Sequence, residues 1–104
     1  MAQFDVHVNP LARARSVMPY VCVMQADVVD AGTDRLVAFV ARAATYPSAH
    51  QRLFPIIDVL GERYVLLMPS LTSVKRRELG TPVDNVGDRR DAITAAVDLM
   101  FLGI

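Results

Sequence analysis

Apolar residues alternate from Phe4 to Val8 and then fall in short runs between turn signals, whereas beyond Gly80-Thr81-Pro82 they recur at the spacing of a helix. A period of two sends side chains to alternate faces of a strand, whereas a helix returns to one face every third or fourth residue. The two stretches therefore belong to different kinds of element. Gln3 to Val8 alternates, with Phe4, Val6 and Val8 apolar, until Asn9-Pro10 breaks the run. After a polar connector from Arg13 to Ser16, Met18 to Gln25 reads as a second strand, with Tyr20 and the valines as its β-formers. Asp27-Val28-Val29-Asp30 and a turn at Ala31-Gly32-Thr33-Asp34 lead into a third strand, Arg35 to Ala41. Ala43 to Gln51 is weakly patterned, contains Pro47 and reads as a loop. Phe54 to Leu60 and Arg63 to Met68 form a hairpin about Gly61-Glu62. Pro69 to Thr72 is expected to change the chain's direction, and Ser73 to Leu79 to supply a final edge strand.

The helical pattern runs from Asp88 to Phe101. Ile93, Val97 and Met100 fall at i, i+4 and i+7, and Ala96 and Leu99 widen the stripe. Asp88 and Asp91 fall in the first turn, where carboxylates suit the helix dipole, and Gly103 is placed to stop the helix. Short antiparallel strands followed by one terminal helix make an all-β or α+β plan. A small SH3-like antiparallel barrel with a C-terminal α-helix fits it best, as a single domain over residues 1–104.

Composition narrows the function. Hydrophobic residues make up 53% of the 104, a high share for a chain with so much surface per volume, so an interface and hence a dimer is expected. Eleven Lys+Arg balance eleven Asp+Glu, without the basic excess that phosphate neutralisation demands of a nucleic-acid binder. Cys22, the single cysteine, excludes an internal disulfide and a four-cysteine metal site; between Val21 and Val23 it reads as a buried strand thiol. The first residues lack the basic start and apolar run of a signal peptide. No apolar stretch approaches the roughly 18 residues of a membrane span. The cytoplasm is the expected location.

Little in the chain points to catalysis. His7 alternates with Val6 and Val8 and is expected on the solvated face of the first strand; His50 lies in the loop beside Gln51. No metalloprotease His-Glu-x-x-His, no Gly-rich phosphate loop and no Gly-x-Ser-x-Gly occurs, so neither cofactor nor metal is expected. Lys75-Arg76-Arg77 reads as edge-strand charge that discourages pairing with other chains. Arg89-Arg90 opens the helix at the end where cations fit poorly, and reads as a solvated face or a partner contact. Asp98 likewise sits at the unfavourable end. Beyond it, Met100-Phe101-Leu102-Gly103-Ile104 is apolar where chain ends are usually polar, which suits either packing on the chain's own sheet or dimer mate, or recognition of a partner.

These residues resemble the CcdB family of toxins almost from end to end. The resemblance runs through Gln3-Phe4-Asp5-Val6, Val23 to Asp30, Arg35-Leu36-Val37, Leu53-Phe54-Pro55-Ile56-Ile57 and Leu71-Thr72-Ser73-Val74. It ends on Ala95 to Ile104. Each motif is weak alone; their shared order is specific. The resemblance implies a homodimeric CcdB/MazF-like barrel that is no enzyme. It implies a toxin that binds the DNA gyrase A subunit and traps the enzyme on cleaved DNA. A CcdA-type antitoxin would neutralise it, and operator DNA would be bound only by the toxin–antitoxin complex. By position, Val28, Val29, Asp98, Phe101, Leu102, Gly103 and Ile104 would meet gyrase. Asn9, Arg13, Arg15, His50 and Arg52 would meet the antitoxin. Asp98 stands where the best-known family ending has Asn, and Leu102 where it has Trp. Leucine cannot stack on a cation as tryptophan does, so gyrase affinity is expected to fall by about 1–3 kcal/mol. Two alternatives remain at this point. One is a MazF-like endoribonuclease on the same fold, using Arg with Thr or Ser; the other is a degenerate toxin that binds antitoxin without poisoning gyrase.

Overall fold

A computed structural model describes residues 2–26, 32–45 and 52–104. Its strands are β1 (Asp5–Val8), β2 (Tyr20–Val23), β3 (Asp34–Arg42), β4 (Ile56–Val59), β5 (Glu62–Lys75) and β6 (Asp84–Asn85), followed by the helix α1 (Arg90–Leu102). The strands form one antiparallel sheet in the order β4-β5-β3-β2-β1-β6. The sheet curls until its two edges meet. At the end of β4, Leu60 N–H donates to Asp84 Oδ2 of β6 over 2.8 Å. The result is a nearly closed barrel with a C-terminal helix, as the succession of short strands and a terminal helical pattern predicts.

The inner face holds the main core. Phe4, Val6, Cys22, Ala38, Val40, Ile57, Leu66 and Met68 are buried there together, and α1 caps them with Ile93 and Ala96. Val97 and Met100 pack against the same cluster from the helix, so the helical stripe faces the core as its spacing predicts. Tyr20 and Tyr64 meet edge to face, 5.4 Å between ring centres, across β2 and β5. Cys22 is fully buried, as expected. Burial first, and then the nearby Asp5 carboxylate, push its thiol up from 9.0 to about 12.

Two expectations about β5 are corrected. The chain does not change direction at Pro69–Thr72, because β5 continues through it. Ala38 pairs with Leu71 but Phe39 pairs with Leu67, so residues 68–70 bulge from the ladder. Proline, with no N–H to give, is tolerated at such an unpaired position, and the bulge bends the strand around the barrel. Ser73 to Leu79 is no separate edge strand either. Its first residues close the β3–β5 ladder down to the pair Asp34–Lys75, and Arg76–Glu78 then turns as a 3-10 helix. Lys75 ends a strand, whereas Arg76 and Arg77 lie on the turn. The last edge strand is β6.

A third correction concerns His7, which is fully buried and not solvated. Because β6 pairs with β1, the chain leaving β5 must cross the outer face of β3, β2 and β1. Leu79 in this crossing segment packs on Val21, Val23 and Val37. Next to it, His7 Nδ1 donates to the carbonyl of Gly80 over 2.8 Å. That carbonyl can only accept, so Nδ1 carries a proton. β2 is thereby buried on both faces.

The β4–β5 hairpin turns on Leu60 and Gly61, with φ of 53° and 83°. Two consecutive positive φ values make the type I′ geometry that favours Asn-Gly, and a leucine there is strained. Leu60→Asn should therefore raise the free energy of unfolding by about 1 kcal/mol, read from urea melts. Leu60 is also 61% exposed, so little packing is lost.

The Cys22 thiol should react with a chromogenic disulfide only on global unfolding. Its folded-state pKa of about 12 lies above the ordinary 9.0, so stability from this group is full below pH 9 and declines as pH rises toward 12. Cys22→Ser should flatten that alkaline decline.

Candidate functional site

α1 ends in a left-handed cap. Gly103 has φ of 73°, and its N–H donates to the carbonyl of Leu99 over 3.1 Å, closing the last turn. Beyond the buried stripe the helix projects past the core. Phe101 is 66% exposed, Leu102 67% and Ile104 74%, and Asp98 lies half-buried one turn before Leu102. The tail does not pack on its own sheet: in the single chain the end of α1 presents Phe101, Leu102 and Ile104 to solvent, as contact with a dimer mate and recognition of a partner both require. Val28 and Val29 lie outside the described residues, so only the helical part of that predicted surface is visible.

At the start of the helix, Asn85 Oδ1 accepts from Gly87 N–H over 2.8 Å, while Asn85 Nδ2 donates to Asp5 Oδ1 and to the carbonyl of Gln3. Arg90 lies over the Phe4 ring, 5.0 Å from its centre. This cation–π contact accounts for one of the two arginines at a helix end that disfavours them.

The second predicted surface is organised by Asn9. Its Nδ2 donates to the carbonyl of Met18 over 2.8 Å, its Oδ1 accepts from Leu11 N–H, and its carbonyl accepts from Arg15 Nε over 2.6 Å. Asn9 is fully buried and offers no side-chain surface. It acts by fixing the loop from which Arg13 and Arg15 project into solvent, with a 3-10 turn at Ala12–Ala14. His50 lies outside the described residues. Arg52 is exposed, and its Nη2 donates to the backbone oxygen of Ile104 over 3.3 Å. Residues assigned to two different partners thus touch each other, a contact between positions too far apart for any sequence signal to expose.

Among the described residues no group of His, Cys, Asp or Glu could hold a metal ion, and no helix is long and apolar enough to cross a membrane.

A nearly closed six-stranded barrel with a C-terminal helix whose apolar end is exposed makes this a small-barrel α+β protein. The family profile described as CcdB protein matches residues 3–103, and the chain belongs to the CcdB family, toxins of toxin–antitoxin systems. No curated protein matched the chain.

Gly103→Ala should destabilise the protein by about 1 kcal/mol, because a Cβ is strained at this φ. Nothing lies within 4 Å of where that Cβ would be, so the loss reports conformation and not a clash. Hydrogen exchange should show the last turn of α1 opening faster.

Proposed function

We propose that this protein is the toxin of a type II toxin–antitoxin system that binds the DNA gyrase A subunit and traps gyrase on cleaved DNA. It acts by binding and not by catalysis, as a cytoplasmic homodimer of single-domain chains. A CcdA-type antitoxin neutralises it, and the pair together binds operator DNA. The observation that carries this reading is the helix end: Phe101, Leu102 and Ile104 stand exposed in a chain of the CcdB family. Apolar side chains held on a capped helix lose little freedom on binding, which is how a small protein gains affinity from few contacts. Val28 and Val29 complete the gyrase surface with Asp98 and Gly103. The antitoxin meets Arg13, Arg15, His50 and Arg52 around the loop that Asn9 holds.

A plasmid cleavage assay with the purified protein and the host's gyrase tests this. Linear DNA should accumulate after detergent and protease treatment, and deleting Gly103-Ile104 should abolish it. No linear DNA at micromolar protein, with antitoxin still bound, would reduce the reading to a degenerate toxin. Leu102→Trp should tighten gyrase binding by about tenfold or more, since an aromatic hot spot is typically worth 1–2 kcal/mol or beyond.

A further inference from the structure

Two grooves flank the segment that leaves β5. The larger, about 580 Å³, is lined by Gly32, Thr33, Lys75, Arg76, Arg77 and Leu79. The smaller, about 350 Å³, runs from Pro10 and Leu11 over Phe39 and Val74, and Lys75 lines both. The grooves thus meet at one side chain and together lead from the Asn9–Arg15 loop to the basic turn.

Their chemistry differs along this path. In the smaller groove two carboxylates, Asp34 and Glu78, outnumber the one cation Lys75, and the floor is apolar at Phe39 and Val74. Asp34 Oδ1 and Lys75 Nζ are 3.1 Å apart. In the larger groove the described lining residues include three consecutive cations and no acidic side chain, and of the three Lys75 is held by Asp34 from the neighbouring groove. Arg76 and Arg77 are exposed and have no side-chain acceptor among the described residues. In a chain whose charges cancel overall, this is a local field in search of anions.

We propose that the two grooves form one trough that binds an extended acidic segment of the antitoxin, with apolar side chains on Phe39 and Val74 and carboxylates on Arg76 and Arg77. The proposal rests on the reading of the Asn9–Arg15 loop as antitoxin surface and extends it to a turn with no assigned role. A peptide is favoured over nucleic acid because the trough is half apolar and the protein lacks the basic excess that polyphosphate binding requires. Charge complementarity here steers association and selects the partner, and is worth more to specificity than to affinity.

The test uses two fluorescein-labelled peptides, two leucines followed by a run of aspartates, and the same sequence with asparagines. Fluorescence anisotropy with the full chain should show the aspartate peptide binding about tenfold tighter at low salt, an advantage lost in about 0.5 M sodium chloride. The double variant Arg76→Ala, Arg77→Ala should bind both peptides alike, with an unchanged melting temperature. Arg76→Glu with Arg77→Glu should reverse the preference toward a lysine peptide. Leu11→Ser should weaken the aspartate and asparagine peptides equally. If it has no effect while the aspartate preference persists, the loop reading fails and the basic groove stands. Equal binding of the two peptides to the unmodified protein would overturn the proposal. So would tighter binding of a short labelled DNA duplex that depends on Arg76 and Arg77.

Discussion

Leu79 resting on Val21, Val23 and Val37 is the contact on which the rest of this fold depends. The sheet closes only if the chain leaving β5 can reach β1 and add β6 beside it, and the route lies across the outer face. That face must then be apolar as well, which is why β2 is buried on both sides. Leu79 supplies the apolar cover and His7 meets the backbone carbonyl of Gly80, so the crossing leaves that carbonyl paired. With β6 in place, Val83 N–H donates to the carbonyl of Val6 and Val86 N–H to that of Phe4, over 2.7 and 3.0 Å. These bonds carry the chain to the start of α1.

The helix begins where the first strand begins and ends away from the core. Phe4, under the Arg90 guanidinium, ties the two starts together, and Ile93 and Ala96 anchor the middle. Anchoring at one end lets the other present Phe101, Leu102 and Ile104 to solvent without disturbing the barrel. Core packing and exposed apolar surface are thus separated along one helix. The Arg52–Ile104 contact places the proposed gyrase tail within reach of the proposed antitoxin surface, so occupants of the two surfaces would compete for space.

The basic turn follows from the same crossing. Arg76 and Arg77 follow the last pair of β5, on a 3-10 turn that leaves both side chains exposed. A groove opens on each side because a single segment cannot cover a curved sheet face. One groove meets the loop that Asn9 holds, and the other meets the Gly32–Thr33 turn. Cations on a turn between two concave surfaces can be used for recognition in a way that cations along a paired strand cannot.

What the amino-acid order determined by itself was local. Alternation from Phe4 to Val8, the short apolar runs at Val21–Val23 and Val37–Ala41, and the spacing of Ile93, Val97 and Met100 were enough to set strands against helix, because these patterns express which faces of each element are buried. The buried Cys22 and the exposed apolar tail were legible for the same reason, as was the order of motifs that marks the family. Tertiary structure alone decided whatever depends on contacts between distant positions. His7 reads as solvated because alternation with Val6 and Val8 assumes that one face of β1 is wet, and it cannot register a cover arriving from Gly80. Pro69 reads as a change of direction because a bulge is defined by the partner strand. Asn9 reads as a contact residue, yet its hydrogen bonds to Met18, Leu11 and Arg15 turn it inward. In each case the sequence carries the residue's preference, and the fold supplies the neighbour that overrides it.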